Sequence, residues 1–100
     1  MIVRISKGRF DPQRGDELEK RLREGEATLG PALRRLSGLI HYYVAIDRAT
    51  GHMTNTSCWD TLDHAMQMAS LKEMADQRAT FDGLGVSFEA VTNHEVLWEV

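Results

Sequence analysis

Cysteine, positive charge and long apolar runs are all scarce in this sequence. The single cysteine, Cys58, excludes a disulfide framework within the chain and is expected to be a buried, unreactive thiol. The formal net charge is -3 at pH 7, and lysine and arginine are scattered among acidic residues. A nucleic-acid partner is therefore not expected, because binding to phosphate needs a basic surface.

Targeting signals and cofactor motifs are missing as well. Residues 1–10 begin directly in an alternating strand pattern, and no later apolar run approaches the roughly 18 residues that a membrane span requires. No glycine-rich phosphate loop is present, and no two histidines have the close spacing of a local metal site. We therefore predict a cytoplasmic protein with no membrane partner, no metal and no other cofactor. The histidines are His41, His52, His64 and His94.

The residues that are present have the composition of one small domain. Of 100 residues, 42% are hydrophobic and 27% are charged, which fits a single domain over residues 1–100 with a modest core. Hydrophobic periodicity predicts the order strand, helix, strand, strand, helix, strand. This is the α+β, ferredoxin-like βαββαβ arrangement, with an antiparallel sheet and the helices on one face. The predicted strands cover residues 2–10, 39–46, 52–59 and 88–98.

Four residues mark the predicted ends of the first helix. Asp11 and Pro12 form a start signal, since an acidic cap is followed by a proline whose missing N–H is not needed in the first turn. Gly30 and Pro31 are expected to interrupt the helix, and Pro31 then begins a further short turn.

The second helical region is predicted to have two parts. Asp60 or Thr61 caps its start, and Ser70 with Glu73 has the spacing of a capping box where the helix restarts. Gly83 and Gly85 are expected to end it. The predicted buried stripe consists of Leu62, Ala65, Met66 and Ala69.

Two of the predicted strands offer apolar or aromatic side chains to both faces. They cover residues 37–47 and 88–98, and a chain of 100 residues cannot cover both faces of its own sheet. An open face of aromatic and β-branched residues would exceed the apolar patch that soluble monomers usually carry. We therefore predict a homodimer whose two sheets face each other.

Several short segments resemble the antibiotic biosynthesis monooxygenase family. They are Phe10-Asp11-Pro12 after the first strand, Gly38-Leu39 before the aromatic strand, Trp59-Asp60-Thr61 before the second helix, and the closing segment 92–98. The resemblance implies a dimeric α/β barrel. Members of the family include cofactor-independent oxygenases of electron-rich aromatic molecules, haem-degrading enzymes and proteins with no assigned activity.

The haem-degrading activity is not expected here. Haem-degrading relatives use an asparagine, a tryptophan and a histidine, whereas the matching places hold Ser6 or Gly8, Met68 and Arg78. Trp59 matches a tryptophan common in the family at the end of the third strand, where we expect it to pack beneath the helix.

Alternation along the second strand supplies the catalytic candidates. It places Leu39, His41, Tyr43 and Ala45 on one face and Ile40, Tyr42, Val44 and Ile46 on the other. His41 is the candidate base, because a neutral imidazole can take a proton from a phenolic substrate. Tyr43 and Asn55 are the candidate contacts to the substrate or to its oxyanion. The alternative is that His41 and Tyr43 are ordinary sheet residues.

The third strand is polar on both faces, which favours a cavity that accepts a polar ligand. Trp59, Ser57, Met66 and Arg4 are the candidate substrate-binding residues. The alternatives are that Met66 packs in the core and that Arg4 pairs with glutamates of the first helix.

The resemblance and these candidates together favour a metal-free monooxygenase. Its substrate would be a small aromatic or polyketide-like molecule, bound in a pocket between sheet and helices. The alternative is a homodimer of the same fold that binds a small ligand without catalysis or is purely structural. A roomy, polar-lined cavity would be compatible with ligand binding, whereas a filled interior would not.

Overall fold

A computed structural model describes residues 1–100 as an antiparallel sheet with helices packed on one face. The predicted α+β, ferredoxin-like fold is confirmed. The strands are β1 (Ile2–Arg9), β2 (Leu39–Asp47), β3 (His52–Trp59), β4 (Ser87–Phe88) and β5 (Thr92–Glu95). The helices are α1 (Gly15–Arg34), α2 (Leu62–Ala65) and α3 (Lys72–Gly83), with 3₁₀ turns at Pro12–Arg14 and Met66–Ser70. None of these helices combines the length and the apolar character needed to cross a membrane.

The sheet is centred on β1 and β3. Its order is β2-β3-β1-β4, and β5 also pairs with β1. The β2–β3 hairpin closes through the Asp47 carboxylate, which accepts hydrogen bonds from the backbone N–H groups of Ala49 (3.1 Å) and Thr50 (3.3 Å). Gly51 completes the turn with φ +75°, a conformation that glycine adopts without steric cost.

The fourth predicted strand is shorter than expected and divided in two. β4 pairs with Gly8 and Arg9, and β5 pairs with the start of β1. The prediction that the strand reaches Trp98 was wrong, because strand pairing with β1 ends at Glu95 and only one further hydrogen bond follows, from the Val96 N–H to the carbonyl of Met1. Trp98 is 79% exposed.

The start of the first helical region agrees with the sequence. The Asp11 carboxylate accepts a hydrogen bond from the backbone N–H of Gln13 at 2.9 Å and so caps the 3₁₀ turn that leads into α1.

The predicted interruption at Gly30 and Pro31 was wrong, since α1 runs through both residues to Arg34. Pro31 removes the hydrogen bond that would reach the carbonyl of Ala27. The helix persists because the adjoining residues Leu29 and Leu33 are buried in the core and anchor that turn.

The second helical region begins as predicted but buries different residues. The Thr61 hydroxyl accepts a hydrogen bond from the backbone N–H of His64 at 3.2 Å and caps α2. Of the predicted stripe only Ala65 is buried, whereas Leu62, Met66 and Ala69 are exposed and Met68 is buried in their place. α2 gives way to a 3₁₀ turn with three residues per turn, so burial recurs at i and i+3.

The capping box predicted at Ser70 does not form. The Ser70 hydroxyl donates to the carbonyl of Gln67, and Leu71 occupies the N-cap position of α3 without a side-chain hydrogen bond. The end of α3 was predicted correctly, since the helix ends at Gly83 and Gly85 adopts φ +88°.

Two hydrophobic clusters hold the helices on the sheet. The first contains Phe10, Leu18, Met53, Phe81 and Val86. The second contains Leu29, Leu33, Trp59, Ala65 and Met68. The expected packing of Trp59 beneath the helices is confirmed, as the side chain is 0% exposed.

Candidate functional site

A β-bulge in β2 decides which side chains face the helices. Leu39 lies opposite Trp59 and His41 lies opposite Cys58, so Ile40 is the extra residue. The bulge puts Leu39 on the same face as Tyr42. The prediction that Leu39 shares a face with His41 was therefore wrong, because an inserted residue reverses the alternation before it.

The strand register gives the helix-facing surface of the sheet a polar centre. Asn93, Arg4, Ser57 and Tyr42 lie side by side across β5, β1, β3 and β2. The neighbouring row on the same face contains Ser6, Asn55 and Val44. Ser57 is buried and Arg4 and Tyr42 are partly buried, so their polar groups require partners or access to a cavity.

A cavity of about 700 Å³ lies between this polar floor and the helices. Its size is within the range of small-molecule sites, roughly 300–1,000 Å³. The polar side chains on its floor are Arg4, Ser6, Tyr42, Asn55 and Ser57. Its apolar wall includes Leu22, Leu29, Leu33, Met68, Leu71, Met74, Phe81 and Phe88.

Hydrogen bonds fix the orientation of the polar floor. The Tyr42 hydroxyl donates to Oδ1 of Asn55 at 2.9 Å. The indole N–H of Trp59 donates to Oγ of Ser57 at 2.8 Å. Asn55 and Ser57 accept these bonds, which leaves the Asn55 amide N–H groups and the Ser57 hydroxyl hydrogen as donors.

Burial changes the titration of two floor residues. It raises the pKa of Tyr42 to about 12, so the phenol is neutral and remains a donor at physiological pH. Burial also lowers the pKa of Arg4 from its ordinary value, although an arginine stays charged near neutrality. Tyr42 is thus unsuited to act as a base, and Arg4 keeps a positive charge in the cavity.

The structure does not bring the three catalytic candidates together. His41 and Tyr43 share a face, as predicted, and their rings stack with centroids 5.9 Å apart. That face is opposite to the cavity, because Asn55 lies across from Val44 whereas His41 lies across from Cys58. Of the three, only Asn55 lines the cavity.

The substrate-binding candidates are divided as well. Arg4 and Ser57 line the cavity, whereas Trp59, whose indole N–H donates to Ser57, is not part of the lining. Met66 is 46% exposed and also lies outside the lining, with its sulfur 3.8 Å from Nη1 of Arg4. Arg4 makes no ion pair with a glutamate of α1, so the alternative suggested by the sequence is not realised.

Tyr42 is the cavity residue that sequence reasoning missed. The feature of the sequence that could have identified Tyr42 is the turn between β2 and β3. Counting back from the Asp47–His52 pair beside that turn places Tyr42 opposite Ser57 and diagonal to Asn55. A tyrosine at a diagonal cross-strand position reaches its neighbour's side chain. No three His, Cys, Asp or Glu side chains converge to hold a metal ion.

Known structures share this arrangement of strands and helices over nearly their whole length. A Deinococcus radiodurans protein described as a candidate antibiotic biosynthesis monooxygenase superposes with a TM-score of 0.76 at 20% identity, covering 100% of this chain and 96% of that one. Rv0793 from Mycobacterium tuberculosis superposes with a TM-score of 0.71 at 16% identity, covering 98% and 96%. SnoaB from Streptomyces nogalater, described as a cofactor-independent oxygenase, superposes with a TM-score of 0.69 at 12% identity, covering 99% and 95%.

These likenesses confirm the resemblance seen in the sequence at the level of the fold. The chain has the fold of antibiotic biosynthesis monooxygenases. No protein-family model matches the sequence, and no curated protein matches it.

Proposed function

We propose that this protein is a cofactor-independent monooxygenase that takes a small aromatic or polyketide-like molecule into the cavity. The observation that carries the proposal is the cavity itself, about 700 Å³ with an apolar wall and a hydrogen-bonding floor. An apolar wall favours flat aromatic rings, and a few fixed polar groups orient them. The likeness to SnoaB, a cofactor-independent oxygenase, adds support for this chemistry.

The floor is suited to stabilising a substrate anion. Asn55 and Arg4 both line the cavity, and their amide N–H groups and guanidinium would face a phenolic or enolic oxygen bound between them. Fixed donors and a nearby positive charge favour the ionised form and lower the pKa of such a hydroxyl. No histidine lines the cavity, and in this proposal the proton passes to water.

Oxygen then reacts with the activated carbon of the ionised substrate. The carbanion transfers electrons to O₂ and forms a carbon–oxygen bond, giving a peroxide that takes up a proton. The activated carbon is a CH₂ group in the substrate, and loss of water from its hydroperoxide converts it into a carbonyl. One oxygen atom remains in the product and the other leaves as water, so no external reductant is needed.

We also propose that the working form is a cytoplasmic homodimer, with the outer faces of the two sheets in contact. Val3, Ile5, Tyr43 and Thr56 lie on this face, and Tyr43 is 56% exposed in one chain. The helices cover only the opposite face. A second copy would remove this apolar and β-branched surface from water.

Non-catalytic ligand binding is the second candidate function, and the placement of His41 favours it. The expected base lies on the face opposite to the cavity, and the phenol within the cavity has a pKa of about 12. A protein whose cavity holds no histidine and only a neutral phenol would bind the same molecules without oxidising them.

Oxidation of a hydroxylated anthrone separates the two functions. We would measure oxygen uptake and quinone absorbance with the wild type, Asn55→Ala and the matched variant His41→Ala. The proposal expects turnover, a loss of roughly 100-fold in Asn55→Ala, and little change in His41→Ala. An anthrone that binds in the cavity without any oxygen uptake would establish the non-catalytic function instead.

A further inference from the structure

The charge lining the cavity is opposite in sign to that of the chain. Four arginines and two glutamates line the cavity, whereas the whole chain has a net charge of -3. The arginines are Arg4, Arg23, Arg34 and Arg78, and the glutamates are Glu19 and Glu26. A concave surface of net positive charge attracts anionic ligands.

Arg4 is the cavity cation whose surroundings most require an anion. It is partly buried, and no carboxylate lies within ion-pairing distance of it. Its Nη1 donates to Oδ1 of Asn93 at 3.1 Å, and its Nε and Nη2 make no hydrogen bond to the protein. Partial burial weakens the hydration of this charge and no counter-charge replaces it, so an anion bound beside Arg4 would be stabilised.

The neighbours of Arg4 on the floor are also donors. Ser57 lies directly across from Arg4 and is only 2% exposed, with its oxygen already accepting from Trp59. Asn55 has its amide oxygen engaged by Tyr42. The groups left free are N–H and O–H, so the complementary ligand group is one that only accepts hydrogen bonds. A carboxylate is such a group.

We propose that the cavity selects aromatic molecules that bear a carboxylate, and that Arg4 is the residue that recognises the negative charge of this group. This inference names the ligand class of the cavity on which the proposed function rests. It requires binding but not oxidation. Ser57 and Asn55 supply the additional hydrogen bonds to the carboxylate or to an oxygen beside it.

Three probes that share the naphthalene ring system test the selection. Titration calorimetry would compare 2-naphthoate, neutral 2-naphthamide and 2-naphthol at pH 7 in the wild type, Arg4→Gln and Arg9→Gln. Arg9 is on the same strand but outside the cavity lining, so it controls for the loss of one positive charge. We expect 2-naphthoate to bind roughly 10- to 100-fold more tightly than either neutral probe, and Arg4→Gln alone to abolish that preference.

Several results would overturn the inference. Equal affinity for the three probes, no binding of 2-naphthoate, or equal losses in the two variants would each do so. If Arg4→Gln does not fold, the preference of the wild type decides, and Arg4→Lys should retain part of it. Because these probes are not oxidised, a protein that prefers 2-naphthoate but leaves the anthrone unchanged keeps this inference and loses the oxygenase proposal.

Discussion

The hydroxyl of Tyr42 donates a hydrogen bond to Oδ1 of Asn55, 2.9 Å away on the neighbouring strand. This bond determines how the Asn55 amide is presented, since the oxygen is engaged and the N–H groups remain for a ligand. Tyr42 is therefore a positioning residue. Its own oxygen need not touch the bound molecule.

Replacing Tyr42 with phenylalanine should weaken ligand binding through Asn55. Without the phenol the amide can turn its oxygen toward the ligand, so we expect the affinity for 2-naphthoate to fall about 3- to 10-fold and the free energy of unfolding to fall by about 1 kcal/mol. Tyr43→Phe removes the same hydroxyl from the opposite face and should change neither affinity nor turnover. Calorimetry on both variants checks this, and equal effects would contradict the positioning role.

Tyr42 should also make the free energy of unfolding depend on pH above neutrality. Burial raises its pKa to about 12 in the folded state, whereas the unfolded chain has the ordinary value of about 10. Between these values the unfolded state releases a proton that the folded state retains, so the stability contribution present below pH 10 is lost as the pH rises toward 12. The loss should reach about 2–3 kcal/mol.

Urea unfolding of the wild type and Tyr42→Phe between pH 9 and 12 measures this contribution. The difference in free energy of unfolding between the two proteins should decline across the window, since all other groups titrate alike in both. A difference that stays constant with pH would show that Tyr42 ionises as freely in the folded chain as in the unfolded one.

Gly51 should tolerate no side chain. It adopts φ +75°, and an added Cβ would meet the backbone carbonyl oxygen of Phe10, which cannot move without breaking the hairpin closure. We expect Gly51→Ala to lower the free energy of unfolding by at least about 2 kcal/mol. At Gly83 a Cβ meets nothing within 4 Å, so Gly83→Ala should be neutral or stabilising by up to about 1 kcal/mol. Denaturant unfolding compares the two, and equal losses would contradict this account.

The outer face of the sheet should carry the dimer contact. Thr56 lies on that face between Ile5 and Tyr43, and a carboxylate there would be buried without a partner in the dimer. Sedimentation velocity should show Thr56→Asp as a monomer, whereas Thr28→Asp on the exposed side of α1 should leave the dimer intact. A monomeric wild type, or a Thr56→Asp variant that stays dimeric, would contradict the proposed interface.

The order of the strands and helices could be predicted because local residues specify it. Asp11 and Thr61 cap the first turns where the sequence placed them, and Gly51 closes a turn that only glycine fits easily. The burial of Trp59 follows from its position at the end of a strand that faces the helices. Each of these features depends on a few neighbouring residues.

The wrong predictions concern features that depend on contacts between parts of the chain that are far apart in sequence. The bulge at Ile40 depends on how β2 aligns with β3, and it changes the face of Leu39. Pro31 stays helical because the adjoining turn is held in the core. The candidate site could be predicted in part for the same reason, since Asn55, Ser57 and Arg4 were identified one by one but their alignment with Tyr42 depends on the register.

The most direct test of this account is a crystal structure of the protein with 2-naphthoate. We predict that the rings lie in the cavity between the sheet and the helices, with the carboxylate within hydrogen-bonding distance of the Arg4 guanidinium and of an Asn55 or Ser57 donor. Rings bound on the outer face beside His41 and Tyr43, or a cavity closed by side chains in the complex, would contradict it.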